Sequence, residues 1–367
     1  MSKVYITAAG KFLPNSPVDN DQMEDYLGKF NGAVSRTKNI FLRKNGIKSR
    51  YYALDKQQQT THTAYQMAAN AINDCLEKST ISSGQVDFLS AATTQSDLPV
   101  PGFASMVHGA SKLERCGIAS HQSVCAAGIM AIQNAYMQVR SGEMQNAICC
   151  AGELASRMFK SQRFLHQSVL QDNNLPVEID FLRWMLSDGA GAFLLQSAPE
   201  PGRTALEIDW IDIRSYAHEY DLCMYAGGLK GNNGAVQKTW LDNNDVSEAN
   251  LAGAVNLMQD MQLVDNIVKL GVRRFFELID EKKINEKNID WLVCHYSSHH
   301  FKPQIINLLK QGGLEIPDDK WFTNLYTKGN VGSASIFVML EELLYSNKLK
   351  PGQKILCMVP ESGRFIT

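Results

Sequence analysis

Apolar residues recur every three to four positions over residues 62–77 and again over 264–281, the spacing of one buried helix face. Each stretch leads through a polar linker into a short apolar run. The first run is Val86-Asp-Phe-Leu-Ser-Ala and the second is Ile289-Asp-Trp-Leu-Val-Cys. Runs this short predict buried strands. A second matched pair follows. Gly142-Glu-Met-Gln-Asn-Ala-Ile-Cys-Cys-Ala-Gly-Glu153 has its counterpart in Gly352-Gln-Lys-Ile-Leu-Cys-Met-Val-Pro-Glu361. The order of elements repeats once, which predicts a duplicated α/β unit over residues 1–200 and 201–367. Helices alternating with apolar strands predict stacked α/β layers with largely parallel central strands. A first strand is expected at Met1-Ser-Lys-Val-Tyr-Ile-Thr.

Two stretches interrupt this rhythm. Residues 157–183 carry Phe159, Phe164, Leu165 and Phe181 among basic and polar positions, with Trp184 just beyond. They read as a cap over a substrate tunnel or as a dimer contact. Residues 214–252, with the glycine-rich Gly227-Gly-Leu-Lys-Gly-Asn-Asn-Gly234, read as a surface loop. The Met and aromatic residues at 256–276 stand at helical spacing and read as core.

The strand–helix junctions hold the candidate chemistry. Cys125 lies between the strand pattern Gly117-Ile-Ala-Ser-His-Gln-Ser-Val and a small-residue helix pattern running through Val139. Open N–H groups and the dipole of a helix start favour a thiolate, so a depressed pKa is expected. Taken alone, Cys125 reads more readily as a buried structural cysteine. Two distant segments shift the balance: Trp291-Leu-Val-Cys-His295, and Lys328-Gly-Asn330-Val-Gly-Ser-Ala-Ser335. A Cys, a His and an Asn at such junctions are the parts of a thiol acyl-transfer site. Glu153 also ends an apolar strand, where desolvation would raise its pKa into the range of a general base. A salt bridge to Arg157 or Arg163 is the alternative for this glutamate.

Composition narrows the field. Net charge is −2, so no bulk attraction to nucleic acid or to an anionic membrane is implied. No apolar run approaches ~20 residues, and the N-terminus has no signal-peptide pattern. The eight cysteines contain no Cys-x-x-Cys pair and are expected as thiols in a reducing cytoplasm. Cys149 and Cys150 are adjacent in a strand pattern and should face opposite ways. His295 and His299 have i,i+4 spacing but no third ligand, so no metal is expected. Lys44, Lys48 and Arg50 form a basic segment, either a solvated face or a contact for a carrier's phosphopantetheine or acidic helix.

These residues resemble the thiolase superfamily, and within it the β-ketoacyl synthase III-like ketosynthases. Cys125 with its Ala-Ala-Gly helix matches the family nucleophile. His295 matches the family histidine, with His-Tyr-Ser-Ser in place of the common His-Gln-Ala-Asn. Asn330 in Gly-Asn-Val-Gly-Ser-Ala-Ser matches the family asparagine, and Ser187-Asp-Gly-Ala-Gly-Ala matches a family glycine turn. Leu13-Pro-Asn-Ser-Pro-Val-Asp-Asn-Asp and Ala151-Gly-Glu-Leu-Ala-Ser-Arg157 resemble bacterial ketosynthases that form dialkylresorcinols or cyclohexanediones. Two positions depart from housekeeping members. Ile40 stands where they often place a tryptophan, and the glycine-rich stretch after the last strand is Glu361-Ser-Gly-Arg-Phe. The resemblance also implies a final strand running past Thr367.

The resemblance implies a thiolase-like fold of five stacked layers (αβαβα). It implies Cys125 as the acyl carrier, with His295 and Asn330 stabilising an enolate. Glu153 is then the base for a β-ketoacyl donor and ring closure, Gly363 an oxyanion contact through its N–H, and Phe365 a substrate neighbour. No resident cofactor is implied. Substrates would arrive as coenzyme A or phosphopantetheine thioesters, from an acyl carrier protein in the second case. A homodimer is expected, with the apolar strand at 147–151 pairing across a two-fold axis. Decarboxylative condensation, simple acyl transfer and a non-catalytic partner subunit are the rival readings.

Overall fold

A computed structural model describes residues 2–366. The first sheet has six strands: β1 (Tyr5–Phe12), β2 (Phe88–Thr93), β3 (Gly117–Gln122), β4 (Asn146–Glu153), β5 (Gly189–Gln196) and β6 (Leu206–Glu207). Their spatial order is β3-β2-β4-β5-β1-β6. The second sheet has three parallel strands, β7 (Trp291–Cys294), β8 (Trp321–Phe322) and β9 (Ile355–Met358), in the order β8-β7-β9. The pairing of β2 with β4 is matched by that of β7 with β9, as a duplication requires. β6 begins after residue 200 yet edges the first sheet, so the two halves interlock at that boundary.

Five layers stack. Helices Ala64–Glu77 and Phe103–Ala110 cover one face of the first sheet. Helices Ala127–Ser141 and Ser335–Leu344 fill the space between the sheets, and helices Asp265–Asp280 and Phe301–Gln311 cover the outer face of the second. β4 shows why the strands are apolar throughout. Ala147, Cys149 and Ala151 enter the central core, whereas Ile148 and Cys150 enter the outer one. The two neighbouring cysteines thus face opposite ways, as period-two geometry demands. The middle layer packs closely. A Cβ on Gly128 would stand 2.2 Å from the Ser333 carbonyl oxygen, so glycine there lets the Cys125 helix meet the Asn330 turn.

Three expectations change. The first sheet is mixed: β5 runs antiparallel to β4, and β1 antiparallel to β5. β4, proposed for two-fold pairing, has neighbours on both sides and no free edge. Residues 214–252 are more ordered than a loop, since Met224–Ala226 pairs with Leu257–Gln259 and Gly228–Lys230 with Val236–Thr239. Thr367, the point from which a further strand is expected, lies outside the described residues, as does Met1.

Candidate active site

Cys125, Glu153, His295 and Asn330 line one cavity. Their strands explain the meeting. Cys125 follows β3, Glu153 ends β4 and His295 follows β7, so three C-terminal strand ends deliver side chains to one place. Asn330 arrives differently. It lies beyond helix Leu325–Lys328 and is held by a parallel bridge to Leu186, with Ser187 N–H on its carbonyl at 2.8 Å.

His295 is buried, and its Nε2 has no hydrogen-bond partner among the described residues. Burial lowers its pKa to about 4, so the ring is neutral at pH 7. Asn330 Oδ1 accepts from the Gly332 N–H at 2.9 Å, which fixes the amide and leaves Nδ2 as the group free to donate. Glu153 is 5% exposed, and burial raises its pKa to about 7. Its Oε1 accepts from Thr94 N (3.0 Å), Thr94 Oγ1 (2.8 Å) and Ser333 N (3.2 Å), and the Ser333 hydroxyl also donates to it. Oε2 is the oxygen left for a ligand. The salt-bridge alternative fails, because Arg157 pairs with Asp97 and Glu153 has no cationic partner among the described residues. Gly332 adopts φ +53°, and a Cβ there would lie 3.1 Å from Glu153 Cδ, so glycine keeps this carboxylate seated.

Cys125 corrects the sequence reading. Burial, followed by the nearby Glu361 and Glu153 carboxyls, pushes its thiol up rather than down. Beside burial stands Glu361, which sequence reasoning did not assign to the site. Its carboxylate accepts from Val124 N (3.0 Å) and Ala126 N (3.1 Å), so the N–H groups on either side of Cys125 are already taken.

The far wall is apolar. Ile267, Val268, Gly271 and Val272 line the cavity from one face of helix Asp265–Asp280, with Val264 just before its start. The Met and aromatic residues read as core at 256–276 are absent from this wall: Phe275 is buried in the core, and Met258, Met261 and Phe276 pack against it. Met158 and Phe181 bound it from the 157–183 segment. Among the described residues, no group of His, Cys, Asp and Glu side chains would hold a metal.

The expected contacts at the entrance separate. Lys44 and Lys48 are exposed. Arg50 is fully buried and bonds Asn20 Oδ1 at 2.8 Å, so it cannot meet a carrier. Phe365 is also buried, tilted against Tyr220 with 5.0 Å between ring centroids and absent from the cavity wall. Gly363 lies against Val124 just outside the wall, which Ser362 forms instead.

The N-terminal domain of β-ketoacyl synthase matches residues 102–200, and the C-terminal profile of 3-oxoacyl-(acyl-carrier-protein) synthase III matches 279–363. The first match contains Cys125 and Glu153, and the second contains His295 and Asn330. The chain belongs to the β-ketoacyl synthase III-like ketosynthases of the thiolase superfamily. It is a C–C bond-forming acyltransferase. The ketosynthase is 24% identical to the beta-ketoacyl-(acyl-carrier-protein) synthase III of Clostridium novyi (strain NT), over 97% of this chain and 94% of that protein. In fold it is similar to AbyA1, a tetronic acid condensing enzyme, with TM-score 0.77 and 20% identity over 99% of this chain and 97% of that one. It is likewise similar to a variant of Xanthomonas campestris OleA with bound lauric acid and lauroyl-CoA. That match has TM-score 0.75 and 20% identity over 99% and 97% of the two chains.

Proposed function

We propose that this ketosynthase loads an acyl group on Cys125 and condenses it with a β-ketoacyl thioester, closing a dialkylresorcinol or cyclohexanedione ring precursor. One observation carries the reading: a thiol, two neutral donors and a desolvated carboxyl share a cavity with an apolar wall. In the first step Cys125 sulfur attacks the acyl thioester. The carrier's C–S bond breaks and the carrier leaves as a thiol with the Cys125 proton. In the second step Glu153 takes a proton from the activated CH₂ of the β-ketoacyl thioester. His295 and Asn330 donate to the thioester oxygen as enolate character develops. The carbanion attacks the Cys125 acyl carbonyl, and C–S cleavage frees the cysteine. A second carbanion of the condensed chain then attacks the donor's thioester carbonyl and closes the ring, its C–S bond breaks, and the second carrier leaves as a thiol with the proton removed from that carbon.

A base is needed because a β-ketoacyl donor loses a proton, not CO₂. Glu153→Gln should therefore cut cyclic product by about 100-fold, within the usual range for a lost general base. Cys125 acylation should persist. With Glu153 titrating near pH 7, the wild-type rate should climb as pH rises through 7 and the carboxylate forms. That limb should vanish in Glu153→Gln. Intact ring formation in the variant would remove Glu153 from this role.

Substrates are coenzyme A or acyl-carrier-protein thioesters, with exposed Lys44 and Lys48 meeting the carrier. The free edge of β3 supports a homodimer, because it pairs only with β2 among the described residues. No described helix is long and apolar enough to cross a membrane. The apolar wall supports acyl chains as substrates. Val268→Phe should shorten the preferred chain by several carbons in an acyl-thioester competition series, while short-chain loading persists.

Mass spectrometry of products formed from paired acyl and β-ketoacyl thioesters tests the whole reading. A cyclic product is expected. Linear products alone would replace it with a simpler condensation.

A further inference from the structure

We propose that Glu361 is a positioning residue for Cys125: its buried carboxylate clamps the start of the nucleophile helix and holds the cysteine as a thiol at rest. From the end of β9 the chain carries Glu361 across to the turn at residues 123–126. Ser123 Oγ donates to both carboxylate oxygens, at 2.8 and 2.9 Å. Val124 N and Ala126 N donate to Oε2. Glu361 is 2% exposed and has no cationic partner among the described residues. Burial raises the Glu361 pKa, and the donors oppose that shift and favour the carboxylate, which sets a negative charge against the positive end of the helix. That arrangement stabilises the helix start, and it removes the field that would otherwise favour a thiolate at Cys125. The Cys125 N–H donates to no backbone carbonyl and not to Glu361 among the described residues, so the clamp spares the donor that a substrate oxygen would use.

The same device occurs in the second half with its parts exchanged. Ser123-Val-Cys-Ala126 corresponds to Asn330-Val-Gly-Ser333. Glu153, the counterpart of Glu361, accepts from Ser333 N, as Glu361 accepts from Ala126 N. Each half thus sends a strand-end glutamate to the helix start of the other, and the nucleophile occupies one of the two turns. The titratable groups lining the cavity with Cys125 are Glu153, neutral His295, and Cys294 and Tyr296, both kept neutral by burial, and no Lys or Arg lines it. No cation lining the cavity faces the sulfur, and whatever fraction of the two carboxyls is ionised favours S–H over S⁻.

The experiment is the pH dependence of iodoacetamide alkylation at Cys125 in the full chain, read on the Cys125 peptide by mass spectrometry. It rests on the site reading only in taking Cys125 as the thiol of interest, since alkylation needs no substrate. The wild-type midpoint should lie above pH 9. Glu361→Gln should lower it by about one unit. Thiolate then rises about tenfold at pH 7.5, and weaker nucleophilicity reduces the gain in alkylation rate to about threefold. Ser123→Ala, which keeps the charge, should titrate like wild type. A wild-type midpoint below about 8.5, the free-cysteine value, overturns the proposal. So does a folded Glu361→Gln chain with an unchanged midpoint. Should that variant not fold, the wild-type midpoint decides alone. Failure of Cys125 to take an acyl group from thioesters would refute the nucleophile reading and leave this proposal standing.

Discussion

Cys125→Ala is expected to abolish acyl loading and lower condensation on the order of 10⁴-fold or more, the scale of losing a covalent nucleophile. The measurement is intact-protein mass after incubation with acyl thioesters. Wild type should gain one acyl mass and the variant none. The substitution removes one heavy atom at a site already flanked by Ala126 and Ala127, so the fold should tolerate it within ~1 kcal/mol. The other cysteines are poor substitutes. Burial pushes Cys75, Cys294 and Cys357 up to about 12, where almost no thiolate exists at neutral pH. Of these, only Cys294 reaches the cavity wall. Persistent acylation in Cys125→Ala would therefore assign the chemistry to a residue outside this argument. Loss of loading with an unchanged melting curve would tie it to one sulfur.

The duplicated pattern was legible because helix and strand periods are local properties. The stretches at 62–77 and 264–281 fold as Ala64–Glu77 and Asp265–Asp280. Strand direction was not legible, since a continuous apolar run reads alike in either orientation. For the same reason β4 could not be told from an edge strand. Arg50 was misplaced because a charge in a basic segment carries no mark of burial. Its position depends on Asn20 and the Trp184 carbonyl, both remote in sequence. Glu361 stands 235 to 238 residues from the donors it accepts from, and no local pattern links them. A signal was nevertheless present: the internal repeat aligns Glu361 with Glu153, so a role for one glutamate at a helix start should have suggested a role for the other. An open helix start would favour a thiolate at Cys125, but burial, together with a distant carboxylate that takes the neighbouring N–H groups, pushes the thiol up instead.

Asn330→Ala and His295→Ala should each lower condensation ~100–1,000-fold, the usual loss for one preorganised donor to a developing oxyanion. Cys125 loading separates this effect from general damage. Both donors are expected to act on the second substrate, so the mass gain should persist while product fails to form. Their geometry suits an enolate because neither needs to change protonation state. His295 is neutral above about pH 5, so its Nε2–H tautomer donates without adding a cation that would draw the Cys125 thiol toward thiolate. Asn330 is held by Gly332 with its NH₂ end free, so the donor is oriented before substrate arrives. Asn330→Asp should not rescue activity, because a carboxylate would repel the enolate that the amide stabilises. The pH profile supplies an independent check. His295 titrates near 4 and Glu153 near 7, so a limb at 7 that survives His295→Ala in the residual rate belongs to the carboxyl. The double variant should lose less than the product of the single losses, because two donors that share one oxygen act as a unit. Fully multiplicative losses would mean that they act on different atoms, and the shared-oxygen geometry would then be wrong.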